Sequence, residues 1–291
     1  MQTRNQLVPV VRCRSFAEYL DFTNSDLARE CGEADTKVRT DHGGDETWTT
    51  PGFSLLAGQP VDLLVDQLSG GYQANGEWFP NLRERLVCPI THLNNRQRLV
   101  CTIVADRSFQ GAQIWFMEQV TPVYVWAAAA LPACEVIGSE YLGPDAKPGE
   151  GREGQRHEDV ENLSFADGSL DLIVSNEVLE HVPHPGQAFA ECARVLRPGG
   201  RMIVTIPFSA GAPDSVVRAK MTKGGQIRYL MDAVYHGNPI SDEGSLVYTD
   251  YGWDVLDMIR GCGFRDVWVD VYHSPQFGHY GDNLFVFEAV R

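Results

Sequence analysis

The stretch His157–Pro207 reads HEDVENLSFADGSLDLIVSNEVLEHVPHPGQAFAECARVLRPGGRMIVTIP, and its pattern decides the fold. Two apolar runs of strand length, Leu170–Val174 and Met202–Ile206, flank a segment of helical period. Pro185 stands where a first-turn proline belongs, and Ala188, Phe189, Cys192, Val195 and Leu196 recur at spacings of three and four, giving one apolar stripe. Arg197-Pro198-Gly199-Gly200 then stops the helix, because proline cannot extend it and glycine accepts the left-handed cap. Neither strand alternates with polar residues, as expected of a parallel sheet covered on both faces. The unit is β-α-β.

Working outward, 291 residues with 43% hydrophobic and 22% charged content are enough for one large domain or two small ones. No run approaches a membrane span, and the first thirty residues lack a basic-then-apolar leader pattern, so a cytoplasmic location is expected. Seven cysteines without a C-x-x-C pair point to reduced thiols rather than a disulfide framework. A formal charge of −15 repels polyanions, which disfavours nucleic acid and anionic membrane as partners and favours a small molecule. Oligomeric state is not legible.

The order of Asp159, Leu163-x-Phe165, Gly168–Ile173, Ser175–Val182 (SNEVLEHV) and Leu196–Arg201 (LRPGGR) closely resembles the class I S-adenosylmethionine-dependent methyltransferases, nearest the small-molecule "type 11" family. The resemblance implies an α/β, Rossmann-like seven-stranded sheet in order 3-2-1-4-5-7-6, with an N-terminal extension over residues 1–105, a methyltransferase domain over 106–291 and a lid insertion at 208–247. S-adenosylmethionine is then the cofactor and S-adenosylhomocysteine its product. The acceptor is an oxygen or nitrogen of a small molecule, with secondary-metabolite or saccharide biosynthesis as a setting.

In the N-terminal extension, residues 22–52 are rich in Asp, Glu, Gly and Thr and poor in apolar residues, which predicts irregular structure or partial disorder. Pro51–Gly58 and Val61–Asp66 suit two short strands joined by a turn. Pro80–Arg98, with Leu93-Asn94-Asn95-Arg96, resembles a module found ahead of some methyltransferase domains, in which paired C-x-x-C knuckles grip zinc. Here the first knuckle, at Phe53–Gly58, has no cysteine, and the second keeps only Cys88 with His92 nearby. A tetrahedral structural site needs four such ligands, so no metal is expected. Residues 96–108 suit a helix.

Ile114–Met117 is the first strand of the catalytic domain, ending on Glu118, and Gln119–Leu131 is loop then helix. The family carries E-x-G-x-G-x-G here, whereas Glu118-Gln119-Val120-Thr121-Pro122 has no glycine. Thr121 and Pro122 still form a good N-cap and first-turn pair, and a helix N-terminus attracts a carboxylate, so Thr121 and Gln119 are placed in the cofactor site. Glu118 is placed on the methionine ammonium. The strand Glu135–Ser139 ends on Glu140, the position from which a Rossmann-like fold holds ribose hydroxyls. A third strand is expected near His157–Val160. The resemblance implies that Asp159 accepts from the adenine amino group and that the Val160 amide reaches a ring nitrogen. Ser175 and Asn176, at the carboxyl end of their strand, face the sulfonium region.

A connection as long as 208–247 is usually functional and is expected to be a substrate lid. Its Tyr235-His236-Gly237-Asn238-Pro239 run supplies His236 as first candidate base, His181 as second and Tyr235 as the group that orients the acceptor. His181 has a loop-capping alternative, and the loop His273–Gly281 reaches either the pocket or the surface. The expected chemistry is in-line attack on the activated methyl, the protein aligning the reactants and excluding water. A non-catalytic or repurposed cofactor-binding protein is the alternative. A nicotinamide oxidoreductase is disfavoured because G-x-G-x-x-G is missing.

Overall fold

The computed structural model describes residues 7–43, 45–68, 70–74, 76–281 and 284–291. Two compact units divide the chain, one running to Arg107 and including Asp270–Val286, the other made of Ser108–Val269 with Phe287–Arg291. Among the described residues no helix is long and apolar enough to cross a membrane.

The first unit opens with a strand, β1 (Val11–Cys13), and two helices, α1 (Phe16–Thr23) and α2 (Asp26–Thr40). The expectation of irregular chain over residues 22–52 is thus corrected at α2. That helix buries only Asp35 and Val38, so it carries almost no apolar stripe to read. Its ends supply the order instead: the Ser25 hydroxyl accepts from the Ala28 amide at 3.2 Å, Asp26 sits in the first turn, and Lys37 and Arg39 sit in the last. The strands β2 (Trp48–Ser54) and β3 (Gln59–Val65) pair antiparallel from Trp48↔Val65 to Ser54↔Gln59, and Val61, Leu63 and Val65 are buried at every second position.

Helix α3 (Asn95–Arg107) starts from a reciprocal cap, in which the Asn94 side-chain oxygen accepts from the Gln97 amide at 2.9 Å while the Gln97 side chain accepts from the Asn94 amide at 3.0 Å. Its buried Asn95 donates to the carbonyls of Leu82 and Tyr280 and meets His279 Nδ1 at 2.7 Å. Buried Arg98 donates to the carbonyls of Phe277 and Gly278. His279 is 1% exposed, so it is a core group of this unit and not a surface loop residue.

The second unit carries β4 (Gln113–Phe116), α4 (Pro122–Ala130), β5 (Glu135–Gly138), β6 (Leu170–Asn176), α5 (Pro185–Val195) and β7 (Leu196–Thr205). It continues through the hairpin β8 (Tyr235–Asn238) and β9 (Ser241–Leu246) to α6 (Val255–Gly261). The last strands, β10 (Asp266–Val271) and β11 (Phe285–Val290), are shared between the two units. The seven-stranded sheet runs β1-β10-β11-β7-β6-β4-β5. Pairings β5/β4, β4/β6 and β6/β7 are parallel, and β7/β11 is antiparallel.

This order departs from the expected one at both ends. No strand forms over His157–Val160, where a single parallel bridge joins Glu140 to His157. The chain turns away because buried Glu158 accepts from Arg156 Nε at 2.8 Å and the Ser164 amide at 2.9 Å, and Asp159 Oδ1 accepts from the Glu161 amide at 2.9 Å. The seventh place is taken by β1 at the opposite edge.

The decisive β-α-β unit forms as β6-α5-β7, with Ala188, Phe189, Cys192, Ala193 and Val195 buried. Its helix stops before the glycines: Leu196 is extended and donates to Cys192 O. Pro198 prevents any continuation, because it disfavours helical backbone at Arg197 and has no amide to donate to Arg194 O. Residues 208–247, expected as a lid, contain three short antiparallel pieces: Val216–Val217 against Thr249–Asp250, Ala219–Met221 against Ile227–Tyr229, and β8 against β9.

Candidate functional site

Glu118, Glu140, Asn176 and Thr205 follow or end β4, β5, β6 and β7, so the carboxyl edge of four adjacent parallel strands brings them together. Buried Glu118 accepts from the Asn176 amide at 3.4 Å and from the Asn176 side-chain nitrogen. Glu140, 8% exposed, accepts with Oε1 from the Gln119 amide at 2.7 Å and the Val120 amide at 2.9 Å. Burial pushes its carboxyl above the usual range, with the two amides pulling the other way. A carboxylate thus braces the glycine-free loop, a use of Glu140 that the sequence did not suggest.

The neighbouring candidates are held as follows. Gln119 is spanned to the loop after β5, donating to Gly154 O at 3.1 Å and accepting from the Arg156 amide at 3.1 Å. Thr121 caps α4 by accepting from the Tyr124 amide at 3.4 Å, with Pro122 in the first turn. Helix α4 lies close on β5, since a Cβ at Gly138 would stand 2.5 Å from the Tyr124 ring. Asp159 and Val160 are half-buried in the turn described above.

Five buried polar atoms on β6, β7 and the turn after β6 have no hydrogen-bond partner: Ser175 Oγ, Asn176 Oδ1, Thr205 Oγ1 and both carboxylate oxygens of Glu180. Buried polar groups are ordinarily paired, so such a concentration at one sheet edge suits a polar ligand. The residues fit S-adenosylmethionine in this respect: acids end β4 and β5, and unpaired amide and hydroxyl oxygens sit on β6.

Glu180, beside the candidate base His181, has no spacing in the sequence that marks it as a site residue. Its side chain is fully buried on the short turn Leu179–His181. The chain just after the insertion fastens that turn, Tyr248 N donating to Glu180 O at 2.8 Å and Tyr251 Oη to Leu179 O at 2.9 Å. Glu180 Oε1 stands 3.5 Å from His181 Nε2 and 3.5 Å from His236 Nδ1, and the two rings lie 5.1 Å apart at 87°. These two predicted residues are therefore brought together. The His236 imidazole is raised above its ordinary value, chiefly by Glu180 and against the effect of burial. Tyr235 does not join them; it is exposed, and its hydroxyl meets that of Tyr229 at 3.3 Å. Successive strand residues point to opposite faces, which turns Tyr235 away from His236 on β8.

In the first unit, Cys88 Sγ donates to Ser54 Oγ at 3.7 Å, both residues being buried. They offer one thiol and one hydroxyl. Among the described residues, only Glu180, His181 and His236 group three side chains of metal-ligating type.

Residues 126–204 match the methyltransferase domain. The match takes in Glu140, Asp159, Asn176 and the Glu180–His181 turn. A probable S-adenosylmethionine-dependent methyltransferase of Mycolicibacterium smegmatis is 42% identical over 60 residues, covering 19% of this chain and 23% of the relative. An uncharacterized methyltransferase of Mycobacterium sp. (strain KMS) is 37% identical over 137 residues, covering 43% of this chain and 54% of the relative. The chain spans about half or less of the length of such curated relatives. Among solved structures, an S-adenosylmethionine-dependent methyltransferase from Mesorhizobium loti is 15% identical, covers 67% of this chain and 98% of its own, and has a TM-score of 0.39, too faint a likeness to carry weight.

Proposed function

We propose that the protein is an S-adenosylmethionine-dependent methyltransferase acting on an oxygen or nitrogen of a small-molecule acceptor. The observation that carries this reading is the coincidence of the matched stretch with a carboxyl sheet edge holding acids and unpaired polar atoms. Bound there, the cofactor supplies an activated methyl group. Glu118 and Asn176 hold its amino-acid part, Ser175 lies beside them, and Glu140 takes the ribose while bracing Gln119 and Val120. Asp159 and Val160 take the adenine. Thr121 sets the start of α4.

The exposed hairpins of residues 208–247 act as the lid, excluding water when the acceptor is seated. His236, whose affinity for protons Glu180 increases, takes the acceptor's proton, and His181 fixes the position of the turn through Leu246. The setting proposed is cytoplasmic small-molecule biosynthesis.

Thermal unfolding with S-adenosylhomocysteine, and separately with NAD, tests the cofactor. A ligand at one hundred times its dissociation constant stabilises by about 2.7 kcal/mol. A rise with S-adenosylhomocysteine alone, followed by transfer of labelled methyl to members of a hydroxyl and amine library, is expected. No rise with S-adenosylhomocysteine, or an equal rise with NAD, would overturn the proposal.

A further inference from the structure

We propose that Glu180, His181 and His236 bind a divalent transition-metal cation of the zinc class, leaving at least one coordination position open. Nothing in the sequence announced such a site, because His236 lies far from the Glu180–His181 pair and no ligand spacing links them. The geometry does. One ligand atom from each residue lies within 4.8 Å of the others. Bonds of about 2.1 Å to nitrogen and oxygen, spread tetrahedrally, separate neighbouring ligand atoms by about 3.4 Å. The two distances from Glu180 Oε1 to the imidazole nitrogens are 3.5 Å, the edge of such a tetrahedron.

The hydrogen bonding argues the same way. Leu246 O can only accept, so its 2.9 Å contact with His181 Nδ1 places the hydrogen on that nitrogen. In the neutral ring, His181 Nε2 then carries a lone pair 3.5 Å from a carboxylate oxygen, a contact that is favourable only with a proton or a metal cation between the two. An imidazole anchored through one nitrogen to a backbone carbonyl is also how metal-binding histidines are usually oriented. Glu180 gives the independent observation: it is fully buried, Oε2 finds no hydrogen-bond donor, and Oε1 has only the two imidazole nitrogens at 3.5 Å. A buried carboxylate without donors is costly unless it is paired or coordinates a metal.

Nearby groups are otherwise engaged. Asp250 receives Arg218 Nη1 at 2.7 Å, and the Tyr251 hydroxyl is used on Leu179 O. Two imidazoles and one carboxylate, without thiolate, favour zinc, cobalt, manganese or ferrous ions over magnesium or calcium, which prefer oxygen alone. With an ion in place the His236 lone pair is engaged. Coordination at the open position, rather than that imidazole, then lowers the proton affinity of a bound hydroxyl or water. The site itself does not depend on methyl transfer.

The test uses the full chain, freed of metal by chelation and titrated calorimetrically with zinc alone, with cobalt as a coloured probe of tetrahedral coordination. One equivalent per chain is expected, with at least tenfold weaker binding in Glu180→Gln and in His236→Ala. His236 is half-exposed on a hairpin, so its variant is the one expected to keep the fold should Glu180→Gln lose it. Failure of the intact chain to take up zinc would overturn the inference, as would an unchanged equivalent in His236→Ala. The thermal response to S-adenosylhomocysteine is read separately on the same samples. Zinc uptake without that response supports this site and removes only the methyl-transfer reading.

Discussion

Glu140 is asked to brace a loop and to hold a ligand, and two substitutions separate those tasks. In Glu140→Ala the Gln119 and Val120 amides, held at 2.7 and 2.9 Å, both lose their acceptor. An amide left without a partner costs about 1–3 kcal/mol when buried. The loop is only partly buried and can regain water, so a total near 3 kcal/mol is expected, or a fall of roughly 6–12 °C in the unfolding midpoint. In Glu140→Gln the amide oxygen still accepts from both donors, and the burial penalty that raises the carboxyl disappears with the charge. Stability should therefore stay within about 1 kcal/mol of the parent.

On the proposed function the charge serves the ligand. Losing a charged acceptor for ribose hydroxyls, at about 1.5–3 kcal/mol, weakens S-adenosylhomocysteine by roughly 10–100-fold in Glu140→Gln. Midpoints and calorimetric titration read both quantities on the same protein. Unaltered affinity in Glu140→Gln would leave Glu140 a brace and nothing more. Parental stability in Glu140→Ala would refute the brace.

Gly138→Ala should cost about 1–3 kcal/mol, because its Cβ meets the Tyr124 ring at 2.5 Å. Adding Tyr124→Leu should recover part of that loss, and a midpoint unchanged in the single variant would count against the close seating of α4. The Cys13 thiol is pushed up to about 11, first by burial and then by Glu18 and Asp270. Because the unfolded chain gives up this proton near pH 9 while the folded one keeps it, the Cys13 contribution to stability falls from about pH 9 to about pH 11. Unfolding followed by denaturant across that range should show a slope that Cys13→Ala reduces, and an equal slope in both proteins would remove the assignment.

What could be read directly from the residues is the structure set by local pattern. The apolar runs gave β6 and β7, the stripe with Pro185 gave α5, and Thr121-Pro122 gave the start of α4. Pattern failed where order comes from elsewhere. Helix α2 is held by caps and side-chain pairs such as Arg29–Glu33 on a nearly polar surface, so hydrophobic period was silent. The bend at Glu158–Asp159 depends on side-chain hydrogen bonds that no alternation reports. At the site, acids at strand ends were legible because strand ends are. The meeting of Glu180 with His236 was not, since it depends on how a distant hairpin returns to the turn after β6.

That return has a consequence for how the protein is made. The turn Leu179–His181 is synthesised directly after β6, whereas the hairpin that supplies His236 and Leu246 emerges much later. During synthesis the nascent chain can assemble β4, β5 and β6, but Glu180 keeps its hydration until the hairpin arrives and Tyr248 bonds to its carbonyl. Long-range closures of this kind come late because the intervening chain must first lose its freedom. The dry carboxylate is thus one of the last features to appear, and a chain released early from the ribosome would carry Glu180 and His181 without the His236 that completes the trio.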